Sequence, residues 1–143
     1  MSTEDIVIHD ETLAELENSV QEMAELTTVN DVSQAIMDRL TAFKEQHQPH
    51  ETTYEDLSLL AEAAVGLEIL RQLPVSNEDT YGHKQDALMV HADNVGGYLT
   101  SVLVHKDQTG IPEAKVVYDR LVSHGMDVLA EGMEADVAET LEM

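Results

Sequence analysis

The sequence predicts an all-α fold, a single-domain bundle of five or six helices spanning residues 1–143, and three observations predict it. Apolar residues recur at spacings of three and four through most of the chain. The core material is Leu, Val, Ile, Ala and Met with one Phe, four Tyr and no Trp, which suits close helix packing. Polar breaks carrying Thr, Asn, Pro or Gly separate the periodic stretches at helix-length intervals. A chain of this size buries about 70% of its unfolded surface, enough for one hydrophobic core.

Residues 1–10 read as an extended arm, because 5–9 are β-prone; a minor two-strand pairing of 5–9 with 98–104 is the competing reading. Leu13, Leu16, Val20 and Met23 then form the apolar face of a first helix, with Thr12 and Glu15 fitting a capping box at its start. Residues 27–30 are a break whose Asn30 can cap the next helix. That helix carries Val32, Ile36, Leu40 and Phe43 on one face and runs to about Gln46, with Asp31 and Lys44 complementing its dipole. A linker around Pro49 leads to a second capping box, Thr52 with Glu55.

The third helix, 53–73, is apolar on more than one stripe and is therefore expected at the centre, ended by Pro74. Residues 76–82 read as a polar loop. Over 84–106, Leu88, Ala92, Val95, Leu99 and Val102 favour one helix, with Gly96 and Gly97 permitting a close crossing against the alanine-rich part of the third. Pro112 opens a fifth helix bearing Val117, Leu121 and Val128, with Gly125 as a candidate kink. Residues 133–143 follow Gly132 as a short docking helix with Met133, Val137 and Leu141 on one stripe.

Seven basic residues stand against 29 acidic ones, a formal net charge of −22. Such a field repels nucleic acid and anionic membranes and attracts basic protein surfaces. The acidity is uneven: residues 1–25 hold eight acids and 127–143 hold six, with no Lys or Arg in either stretch. The acidic surface expected to meet a partner is therefore Glu11, Glu15, Glu22, Glu25, Glu131, Glu134, Asp136 and Glu139. Leu13, Leu16, Val20 and Met23 also satisfy a two-heptad seam, which admits a homo-oligomer.

Catalytic chemistry finds no motif. Without Cys, thiolate catalysis and cysteine-ligated metals are excluded. No His has Asp or Glu three residues before it, which argues against a carboxylate-bridged di-iron bundle, and the phosphate loop and Gly-x-Ser-x-Gly turn are absent. Glu22 with Glu25, and Glu131 with Glu134, resemble the Glu-x-x-Glu element of helical nucleotide pyrophosphatases, but the second element of that family is missing. His47, His50 and Glu51 are close enough in sequence to share a metal, yet read more simply as a polar linker. No catalytic, cofactor or metal residue is expected.

The expectation is a non-catalytic acidic helical protein that binds other proteins or takes part in assembly, in the manner of a bacteriophage head component. Leu60-Ala61-Glu62-Ala63 and Leu129-Ala130-Glu131-Gly132 resemble sites cut by prohead proteases. The alternative is a DNA mimic whose carboxylates fill the basic groove of a nucleic-acid-binding protein. The first residues lack the basic and apolar regions of a signal peptide, so a cytoplasmic or virion-interior location is expected, without secretion.

Overall fold

Five helices follow one another in the computed structural model, which describes residues 8, 10–47, 53–74, 78–104 and 114–142. They are α1 (Asp10–Ala24), α2 (Val29–Gln46), α3 (Tyr54–Gln72), α4 (Glu78–Val104) and α5 (Ala114–Glu142), and no strand occurs among the described residues. The all-α bundle is as the periodicity predicts. Residues 98–104 continue α4, so they do not pair with 5–9; of the expected arm only Ile8 and Asp10 are described, and Asp10 already opens α1.

Several helix starts differ from the sequence reading, by one or two residues at the caps and by six at α4. Thr12 lies inside α1 and cannot cap it. Thr28, not Asn30, caps α2, its hydroxyl accepting from the Asp31 N–H at 3.1 Å. The capping box of α3 is Thr53 with Asp56: the Asp56 N–H donates to Thr53 Oγ1 at 3.1 Å and the Thr53 N–H to Asp56 Oδ2 at 3.0 Å. Asp56 is buried and also accepts from Gln46 Nε2, so the cap ties α3 to the end of α2. Residues 78–82, read as loop, form the first turn of α4. α5 passes through Gly132 without interruption and takes in residues 133–142.

The central position of α3 follows from its composition. Leu57, Leu60, Ala61, Ala63, Val65 and Leu70 are fully buried, and α3 packs against each of the other four helices. Each large aliphatic side chain so enclosed stabilises the fold by about 2 kcal/mol. Ser19 meets Arg39, Gln46 meets Asp56, Lys84 meets Leu73, and Ser33 and Phe43 meet His91 and Tyr98. With Glu17 and Val20 facing His124 and Gly125, and Val65 and Leu73 facing Gly125 and Val128, these pairings make α1, α3 and α5 run one way and α2 and α4 the other.

The close helix crossings use different glycines from those expected. Gly96 and Gly97 face open space, because the turn that brings Val95 and Val102 inward rotates them to the outer side of α4. Instead, a Cβ at Gly66 of α3 would lie 2.7 Å from Ile36 Cγ1, and one at Gly125 of α5 would lie 2.7 Å from Val65 Cγ2. Gly125 is thus a packing position where α5 comes down on α3, inside a helix that continues on both sides of it.

Candidate functional site

Two polar regions flank α1, one on the side of α2 and one on the side of α5. On the α2 side Arg39 is nearly enclosed. Its Nε donates to Ser19 Oγ at 3.0 Å, and its Nη1 donates to the Ala35 carbonyl at 2.9 Å. The guanidinium stands 3.8 Å from Glu62 Oε1 and 3.6 Å from Glu22 Oε2. Glu62, on the central helix, also accepts from Ser58 Oγ at 3.2 Å. Burial pushes the Glu62 carboxyl above its ordinary pKa, against the opposing pull of Ser19, Arg39 and Ser58. Three helices meet at this network.

On the α5 side a cleft of about 780 Å³ opens between α1, α3 and α5. Its lining is mixed: Leu26, Leu73 and Val128 are half-buried apolar residues, Val20, Ile69 and Leu129 lie buried behind them, and Gln21 and Gln72 add polar groups. Glu17 and Glu25 stand along one wall, Asp127 and Glu131 along the other, and no Lys or Arg lines it among the described residues. His124 also lines it, and its Nε2 lies 2.8 Å from Glu17 Oε1, bridging α5 to α1. The volume falls within the usual 300–1,000 Å³ or so of ligand-binding clefts.

The helix directions account for the cleft. Because α1 and α5 run the same way, residues 17–26 and 124–132 lie side by side over the end of α3. Acids from both base-free stretches are thereby brought to one flank. Of the eight acids expected to meet a partner, Glu25 and Glu131 line the cleft. Glu11 and Glu15 are exposed elsewhere on α1, and Glu22 turns to Arg39. Glu134, Asp136 and Glu139 belong to the last three turns of α5, and their side chains lie outside the described ones.

Glu17, Asp127, His124 and Glu62 are the functional candidates that periodicity and charge counting missed. Glu62 had a visible signal, a single acid inside the apolar run 59–65. It also lies in one of the tetrapeptides resembling protease sites: Leu60, Ala61 and Ala63 are fully buried, so the folded chain withholds that segment, whereas Ala130, Glu131 and Gly132 are exposed.

Remaining histidine chemistry is limited. His91 of α4 is buried, with Nε2 2.8 Å from Ser33 Oγ and Nδ1 without a partner among the described residues. Burial lowers its pKa. A neutral ring donating from Nε2 leaves only an acceptor lone pair unmet, the least costly arrangement. No three His, Asp or Glu side chains among the described residues are grouped to hold a metal ion; His50 and Glu51 lie outside them. No helix among the described residues is long and apolar enough to cross a membrane.

Compared with known proteins, the chain matches no family model, no curated protein and no solved structure.

Proposed function

We propose that this chain is a non-catalytic binding or assembly protein whose partner is a protein with a basic surface. The observation that carries the proposal is the meeting of acids from both base-free stretches, Glu17 and Glu25 with Asp127 and Glu131, around one cleft that also holds half-buried Leu26, Leu73 and Val128. Carboxylates gathered around apolar surface attract cationic groups at a distance and offer a surface to bury on contact. A head-assembly role of the bacteriophage type is one setting in which such a protein works.

The DNA-mimic alternative draws less support. Mimicry needs free carboxylates in rows, and here Glu22 and Glu62 are held by Arg39, Glu68 by Arg71 and Asp119 by Lys115. Apolar surface between carboxylates also has no counterpart in a phosphate backbone.

The test is recovery of the native complex followed by reconstitution with the purified partner. A protein partner is expected, with affinity falling at least tenfold as salt is raised from about 0.05 to about 0.5 M. A complex that contains only nucleic acid, or one indifferent to salt, would overturn the proposal.

A further inference from the structure

Resting on that reading, we infer that the cleft receives one amphipathic helix, about two turns of which are in contact, with an apolar stripe and Lys or Arg on both sides of it. The cleft is built in three strips. The half-buried Leu26, Leu73 and Val128 supply its accessible apolar surface beside Gln72; Glu17 and Glu25 are the acids on the α1 side, and Asp127 and Glu131 are those on the α5 side. From Glu17 to Glu25, and from His124 to Gly132, is eight residues of chain, roughly 12 Å at the helical rise. The bridge between Glu17 and His124 joins the first lining residues of the two helices, so the lined length is close to two helical turns.

The occupant follows from that order of strips. An amphipathic helix with apolar residues at i, i+3, i+4 and i+7 presents a narrow apolar stripe with its flanking side chains directed to both rims. Long Lys or Arg stems there lie along the apolar edge and carry their charges to the carboxylates. An extended segment puts alternate side chains on opposite faces, so its cations would turn away from the rims. A second copy of this chain is disfavoured, because its own apolar stripe on α1 or α5 is bordered by the same acids and the net charge of each copy is −22. Neither chain end supplies an occupant, since residues 1–25 and 127–143 contain no Lys or Arg.

The experiment uses the full chain and two synthetic peptides of equal length and composition. One places Leu at i, i+3, i+4 and i+7 with Lys between; the other scrambles the order so that no stripe forms. Affinities are measured by calorimetry, and the site is located from methyl NMR shifts of Leu26, Leu73 and Val128. The expected result is that the striped peptide binds at least about tenfold more tightly than the scrambled one and shifts those methyls. The triple variant Glu25→Lys/Asp127→Lys/Glu131→Lys, with its circular dichroism unchanged, is expected to lose that preference. Asp38→Lys/Glu45→Lys, which makes a charge change on the exposed side of α2, is expected to retain it.

Equal binding of both peptides, shifts confined to other residues, or equal loss in the α2 variant would overturn the helix-in-cleft inference. So would sedimentation of the free chain as a dimer that the triple variant dissolves, since a second copy would then fill the cleft. A native complex that still forms with a basic protein under any of those outcomes keeps the broader reading, whereas a native complex without protein ends both.

Discussion

Carboxylates lie along both flanks of α1, and the two sets are treated differently. On the α2 flank, Glu22 and the buried Glu62 share Arg39, which is also fixed by Ser19 and the Ala35 carbonyl. On the α5 flank, Glu17 meets only an imidazole, and Glu25, Asp127 and Glu131 have no cationic partner among the described residues. With seven bases for 29 acids, the position of each base carries information. Arg39 stands where desolvation would otherwise leave a buried anion alone, while the cleft acids stay hydrated and need no partner for the fold to hold. One flank is a structural joint, and the other is a surface kept available.

Breaking the joint is expected to have the largest effect. Arg39→Ala leaves Glu62 buried without its cation and should cost about 3 kcal/mol, read from the urea midpoint. The double variant Arg39→Met/Glu62→Leu should recover most of that loss, and failure to recover would mean that the network does more than compensate its own burial.

Next in size is an attack on the packing beneath the cleft. Gly125→Val drives a branched side chain against Val65 and should cost about 2 kcal/mol, measured in the same way. A neutral outcome would show that α5 rides free of α3 there.

The pH dependence sharpens the contrast further. The folded pKa of Glu62 is raised, so its contribution to stability is fully present below the unfolded value of about 4.5 and is lost as pH rises through the folded value. In Glu62→Gln that loss on raising pH should disappear from the stability curve. His91 titrates with the opposite sense: with its folded pKa lowered, stability declines as pH falls below the unfolded value of about 6.5. In His91→Gln the decline should be shallower, as followed by thermal unfolding across the same range.

The smallest effect belongs to the cleft acids. Glu25→Gln/Asp127→Asn/Glu131→Gln should change stability by no more than about 0.5 kcal/mol, and in the stabilising direction at low salt, because like charges are removed. A loss above about 1 kcal/mol in urea unfolding would make these residues structural and erase the distinction between the flanks.

Helix count, the apolar face of α2 and the central place of α3 were legible because each rests on many residues that agree. Val32, Ile36, Leu40 and Phe43 are all buried, so an error at any one position would not have hidden the helix. Caps were less legible. In Thr27-Thr28-Val29-Asn30 and Thr52-Thr53, neighbouring residues offer nearly equal hydrogen-bonding chemistry, and tertiary contacts such as Gln46 with Asp56 choose between them. Glycine roles were least legible. Gly66 and Gly125 matter because of Ile36 and Val65, partners far away in sequence, while the conspicuous Gly96-Gly97 pair faces solvent. Acid-rich ends were visible in the sequence, but the cleft required knowing that α1 and α5 lie parallel.

The parallel course of α1 and α5 also sets how far each helix reaches. α1 ends at Ala24, beside the cleft, whereas α5 continues past Gly132 for ten more residues, about 15 Å of helix. A helix of about ten residues is marginal by itself in water, so the order of this extension is inherited from the turns of α5 that line the cleft.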